Sequence, residues 1–275
     1  MEVSARPDAQ SAEVIVFSMG FNGYQHLFRR NVESQRRYAE RFGFKYTFIE
    51  EPAYTPLLME STWLKIPLLL AALATGAKWA FYMDTDVEVT ARCPDFRCLD
   101  EENKDIFLAN GHSGRVNAGV MLIKNTGSAQ NLLRKILANA GKKVPPEDVA
   151  WGDNSNVIHY TKSYPGLKKI PAEWNNNRDP ELQDYLRHYS AGPMRPHYRM
   201  DEREKHWRGE VEAYIKAHPQ QSRPGSAGFY ADLAGLFESA TRGKPEFGPV
   251  DLYSIRTAHR ERRKSIFWRL LPSSR

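Results

Sequence analysis

Asp84 and Asp86, one residue apart, are the side chains of this sequence best placed to do chemistry. They end the run Trp79-Ala80-Phe81-Tyr82-Met83, whose apolar and aromatic composition reads as a buried strand. A strand that delivers two carboxylates to its C-terminal end sets hard oxygen ligands at the sheet edge where open α/β folds bind ligands. Such oxygens suit Mg²⁺ or Mn²⁺, and those ions suit a diphosphate. The chemistry implied is metal-dependent catalysis on a nucleotide-linked substrate. The tripeptide equally suits a plain turn in which the Asp side chains cap backbone donors, so the rest of the chain must decide.

Four further stretches carry residues of the right kind. Trp63-Leu64-Lys65-Ile66-Pro67 holds a Lys about 20 residues ahead of the acidic pair, either facing a site or on the solvent side of an amphipathic helix. In Asn117-Ala118-Gly119-Val120 the glycine allows close backbone approach, and Asn117 offers a donor and an acceptor, as for a sugar hydroxyl; a turn at a strand start fits as well. Trp151-Gly152-Asp153-Asn154 adds another carboxylate and amide. His188, at the head of His188-Tyr189-Ser190-Ala191-Gly192-Pro193-Met194-Arg195-Pro196, is a reasonable third Mn²⁺ ligand, with Arg195 able to grip a diphosphate in bidentate fashion. His159 and His197 compete with His188 for that role.

The elements needed to position these residues follow from the apolar pattern. Strands are expected over Val14–Met19, Lys45–Glu50, Trp79–Asp84, Asp105–Ala109 and Asn117–Lys124. Helices are expected over Phe28–Phe42, Trp63–Thr75 and Ser128–Ala140, the first two stopped by Gly43 and Gly76. Alternation of strand and helix implies an α/β fold with a mostly parallel, twisted sheet covered on both faces. Beyond residue 145 the chain turns irregular, with helix returning at Asp201–Ala217 and Phe229–Thr241 and a flexible connection at Gln220–Ala227. The reading is one domain over 12–218 and a C-terminal extension over 219–275.

Composition narrows the class. With 41% hydrophobic and 12% aromatic residues the chain can build a core. The N-terminus lacks an apolar signal segment, and the run Ile66–Ala74 falls far short of the roughly 20 residues of a membrane span. Cys93 and Cys98 match no zinc spacing, and two thiols are too few for a disulfide scaffold. A reduced, cytoplasmic setting follows, with a local Cys93–Cys98 bridge left open. Neither Gly-x-Gly-x-x-Gly nor a Walker A pattern occurs, which argues against dinucleotide oxidoreductases and P-loop enzymes. The net charge of +6 resides wholly in Arg256–Arg275, so no nucleic-acid partner is expected. That tail joins cations to Phe267, Trp268 and Leu270, a composition suited to peripheral contact with an anionic membrane, or to a solvated or packed C-terminal helix.

Taken in order, the motifs resemble nucleotide-sugar glycosyltransferases of the GT-A fold, especially glycosyltransferase families 34 and 8, over approximately residues 14 to 200. The resemblance implies that Lys65 faces the donor and that Asn117 stands in an Asn-Ala-Gly element. It places Asp153 and Asn154 in an Asp-Gln element, with Asn154 where the family has Gln. His188 and Arg195 fall in a His-x-x-Gly-x-x-Lys-Pro element, with the glycine one position later and Arg in place of Lys. Asp86 would bind Mn²⁺ or Mg²⁺, Asp84 that ion or the ribose, and Asp153 with Asn154 the reacting sugar. Tyr24, in the first βα loop, would stack on the nucleobase. The implied reaction transfers a sugar, with retention, from a nucleotide-sugar donor (UDP by family habit) to a glycan or glycolipid acceptor. A nucleotide-sugar hydrolase or nucleotidyltransferase, or an inactive binding module of the same fold, are the alternatives.

Overall fold

The computed structural model describes residues 12–219 and 223–255. In chain order it contains β1 (Val14–Met19), α1 (Tyr24–Leu27), α2 (Arg29–Arg41), β2 (Lys45–Ile49), α3 (Leu58–Trp63), α4 (Lys65–Ala74), β3 (Trp79–Met83) and β4 (Val87–Val89). There follow β5 (Ile106–Ala109), β6 (Val120–Lys124), α5 (Gly127–Ala138), α6 (Asn154–Thr161), β7 (Leu167–Ile170), β8 (Leu186–His188), α7 (Glu202–Ala217) and α8 (Ala227–Thr241).

Six strands form one sheet in the order β2-β1-β3-β6-β5-β7, and β4 pairs separately with β8. Within the six, only β6 runs against its neighbours. Side chains alternate between two apolar layers, as strands covered on both faces require. Ile15, Phe17, Ala80, Tyr82, Met121 and Ile123 join the layer of α4, α5 and α8, whereas Val14, Val16, Trp79, Phe81, Val120 and Leu122 join the layer under α2. The mostly parallel α/β sheet flanked by helices is therefore as expected.

Boundaries differ where side chains have other duties. The strand expected from Asn117 begins at Val120, because residues 117–119 form the turn entering β6. The helix expected from Trp63 is preceded by α3 and restarts at Lys65 as α4, with Pro67 in its first turn, where the missing N–H costs little. The segment expected to be irregular after residue 145 holds α6, β7 and β8. Residues 227–255, expected to belong to an extension, supply Phe229, Leu233, Phe247 and Leu252 to the same layer as α4. There Tyr230 Oη donates to Leu137 O at 2.8 Å, and Gly248 N donates to Ala71 O at 2.9 Å. Cys93 and Cys98 are both free thiols. The basic tail 256–275 and its membrane contact lie outside the described residues. No helix among the described residues is long and apolar enough to cross a membrane.

Candidate active site

The site is assembled at the C-terminal edge of β3. Parity carries Asp84 onto the face of Ala80 and Tyr82, the α4 face, where Lys65 Nζ lies 3.2 Å from Asp84 Oδ1. Tyr82 Oη donates to the same oxygen. Asp84 Oδ2 is left pointing to His188, whose Nε2 is 3.8 Å away. The turn that follows is pinned by Gln35 of α2, whose Nε2 donates to Asp84 O (3.0 Å) and Val87 O (2.8 Å). Because β6 runs antiparallel, its entry rather than its exit reaches this edge, and Gly119 O accepts from Asp84 N at 2.7 Å.

His188 arrives through the short β4–β8 ribbon, in which it faces Val87, the residue after Asp86. Its Nε2 is 3.1 Å from Asp86 Oδ1. Its Nδ1 is 2.8 Å from Asn175 Oδ1, and Asn175 Nδ2 donates to Asn117 Oδ1 at 3.0 Å. With the Asn175 amide so oriented, its carbonyl must accept from Nδ1–H. Nε2 then carries the lone pair, the tautomer a metal ligand needs.

Donor atoms of Asp84, Asp86 and His188 lie within 4.8 Å of one another. Two carboxylates and one imidazole nitrogen are a fitting set for Mn²⁺ and an acceptable one for Mg²⁺. Gly119 makes the cradle possible, since a Cβ there would lie 2.2 Å from His188 Cε1 and 2.8 Å from Asp84 Oδ2. Gly119→Ala should therefore weaken Mn²⁺ affinity by about 10- to 100-fold. Calorimetric titration with Mn²⁺ checks this, and unchanged affinity would show the cradle to be irrelevant.

Charge is tightly balanced here. Burial opposes ionisation of Asp86, but His188, Arg195 and Lys65 outweigh it and hold the carboxyl at about 2. Burial likewise works against the Lys65 ammonium, yet Asp153 and Asp84 raise its pKa and keep it charged. Asp153 is pushed up to about 6 by burial, with Lys65 opposing and Asp84 adding to the shift. Its Oδ1 is 3.7 Å from Lys65 Nζ, and its buried Oδ2 has no hydrogen-bond partner among the described residues.

The remaining expected residues divide. Arg195 Nη2 donates to Asp86 Oδ2 at 2.9 Å, with the guanidinium over the Phe28 ring. Tyr24 stacks on the same Phe28, and its hydroxyl pKa is raised by burial, with Arg195 opposing and Asp86 reinforcing. Asn117 Oδ1 is committed to Gly119 N, and Asn154 Oδ1 to Ala118 N. Those bonds brace the β6 entry, and only the two side-chain NH₂ groups stay open. His159 instead faces Asp148 at 2.8 Å, and His197 is outside the ligand cluster. Gln35 and Asn175 escaped the sequence reading. The one available signal was the run Asn175-Asn176-Asn177, whose three side chains are all buried.

Among known proteins, residues 9–92 match glycosyltransferase family 34, the galactosyl transferase GMA12/MNN10 family. No curated protein matches the sequence. A solved glycosyltransferase involved in glycosylation of the major capsid of PBCV-1 aligns with a TM-score of 0.52 at 15% identity, over 71% of this chain and 98% of its own. The glycosyltransferase GlyE of Streptococcus pneumoniae aligns with a TM-score of 0.45 at 14% identity, over 87% of this chain and 65% of its own. The galactosyltransferase LgtC aligns with a TM-score of 0.40 at 12% identity, over 74% of this chain and 99% of its own. The first of these shows the fold to be shared. The segment that matches the family contains Lys65, Asp84 and Asp86.

Proposed function

We propose that this glycosyltransferase moves a sugar from a nucleotide diphosphate donor, UDP-linked, to a hydroxyl of a glycan or lipid-linked acceptor, with retention and with Mn²⁺ or Mg²⁺ as cofactor. The observation that carries the reading is the Asp84–Asp86–His188 cluster beside the orphaned carboxylate oxygen of Asp153. Asp84 Oδ2, Asp86 and His188 Nε2 would hold the ion. When bound, it would supply positive charge beside the leaving diphosphate.

Each residue then has a defined task. Arg195 exchanges Asp86 for the diphosphate, which its planar guanidinium can grip through two parallel bonds. Asp153 Oδ2 accepts a hydrogen bond from a hydroxyl of the transferred sugar, the partner it lacks within the protein. The free amides of Asn117 and Asn154 donate to neighbouring sugar oxygens. Tyr24, on the Arg195 side, flanks the nucleobase. Lys65 keeps Asp84 and Asp153 in place and compensates their charge. Retention and the preference for UDP are supported only by the likeness to families 34 and 8. A cytoplasmic enzyme touching the inner membrane face through 256–275 fits the composition of that tail, and vesicle co-sedimentation of the full chain against one ending at 255 decides it.

The direct test is calorimetric titration of UDP into the protein with Mn²⁺ or with chelator. UDP should bind at least about tenfold tighter with Mn²⁺, a difference of about 1.4 kcal/mol. Equal affinity under both conditions would remove the metal from the reading. A screen of nucleotide sugars for Mn²⁺-dependent hydrolysis then identifies the donor.

A further inference from the structure

The loop leading into α6 holds an indole in water at the edge of this site. Trp151 is 70% exposed, and among the described residues its ring has no aromatic partner and no hydrogen bond. It is the most exposed large apolar side chain among the described residues, and an indole offers a broad flat apolar face with a polar edge.

The loop is held firmly. Arg115 Nη1 donates to Glu147 O at 2.7 Å and to Val149 O at 2.9 Å. Ser155 Oγ accepts from Ala150 N at 2.8 Å and donates to Ala150 O at 2.5 Å. Asp148 is fastened by His159 at 2.8 Å and Lys162 at 3.2 Å. Gly152, at φ +62°, packs so closely on α3 that a Cβ would lie 2.8 Å from Thr62 Oγ1. From 148 to 153 the braced segment leaves Trp151 and, less fully, Val149 (56% exposed) to solvent. Two residues later stands Asp153, 3% exposed, with Oδ2 unpartnered. Two residues of chain span at most about 7 Å between Cα atoms, so the backbone that carries the indole is next to that carrying the carboxylate assigned to the donor.

We propose that Trp151 is a stacking platform for a pyranose ring of the acceptor, which makes the acceptor a carbohydrate. This rests on the glycosyl-transfer reading above. The C–H face of a pyranose is apolar and its polarised hydrogens meet the negative face of an indole, while its hydroxyls stay at the rim. Because the loop is already braced, binding pays little ordering entropy.

The test uses the full chain with UDP and Mn²⁺, and a panel of lactose, maltose, cellobiose and mannobiose as probes. Indole N–H resonances are followed by NMR, with Trp151→Ala identifying the Trp151 signal. At least one disaccharide at millimolar concentration should shift that signal. For that disaccharide Trp151→Ala should raise the dissociation constant about tenfold and, with the nucleotide-sugar donor found by the hydrolysis screen in place of UDP, raise KM about tenfold while kcat stays within about twofold. Trp151→Phe should restore most of the affinity. No shift with any member of the panel overturns the proposal, as does sedimentation showing self-association that Trp151→Ala abolishes. UDP affinity, read separately, should be the same in wild type and variant. A wild type that fails to bind UDP at all refutes the glycosyl-transfer reading instead.

Discussion

Asp86→Asn is expected to lower kcat/KM for sugar transfer by about 10³-fold or more, the scale of several kcal/mol of charge stabilisation. The carboxylate faces His188 Nε2 with one oxygen and Arg195 Nη2 with the other. An amide of the same shape has one oxygen for those two partners and must turn NH₂ either against the Arg195 guanidinium or onto the His188 nitrogen whose lone pair the ion would take. It also removes one of the two negative charges in the cluster. The backbone is unaffected, since Tyr189 N still donates to Asp86 O. UDP affinity in Mn²⁺ should fall to its value in chelator, with the circular dichroism spectrum unchanged. Transfer at the wild-type rate with the usual Mn²⁺ response would take Asp86 out of the site.

Lys65→Met is expected to destabilise the metal-free protein by about 3 kcal/mol, the scale for removing one partner from a buried ionic group. The Met side chain fills the volume, so packing is largely kept. What is lost is the ammonium between Asp84 and Asp153, whose side chains are 29% and 4% exposed. The sign with pH follows from Asp153. Its folded pKa of about 6 lies above the unfolded value, so its favourable contribution is complete below the unfolded pKa and fades as pH rises through about 6. Without Lys65 that carboxyl titrates higher still and costs more once ionised. The stability gap between variant and wild type should therefore be smallest near pH 4 and widest at neutral pH in urea unfolding, and added Mn²⁺ should narrow it. A gap independent of pH would show that Lys65 serves packing rather than charge.

Much of the frame was legible because its strands obey one simple rule. β1 and β3 begin where expected, each a mostly apolar run buried at every position. Asp84, Asp86 and His188, which the structure brings into one cluster, were legible because paired carboxylates at a strand end and a histidine beside an arginine stand out by their chemistry. β7 was missed because it carries Lys168 and Lys169 at the sheet edge, and β8 because three residues leave no periodicity. Gln35 and Asn175 act through side-chain hydrogen bonds to backbone or to another side chain, and a lone amide in a helix or loop announces nothing. Lys65 was ambiguous for a related reason. An isolated Lys in an apolar helix reads as solvent-facing until the acids that neutralise it are seen.

The distance along the chain between Asp86 and His188 has a consequence for biosynthesis. Asp84, Asp86 and the Lys65 ammonium emerge early, in the segment that matches the galactosyl transferase family, while the imidazole and Arg195 follow about a hundred residues later. A partly synthesised chain that ends before residue 186 lacks β8 and so cannot complete the Asp84–Asp86–His188 cluster. On the proposed reading, capture of cation and nucleotide would be deferred until translation has passed His188. The maturing protein thus gains its charge-neutralising ligands last, as the final clasp on a scaffold already standing.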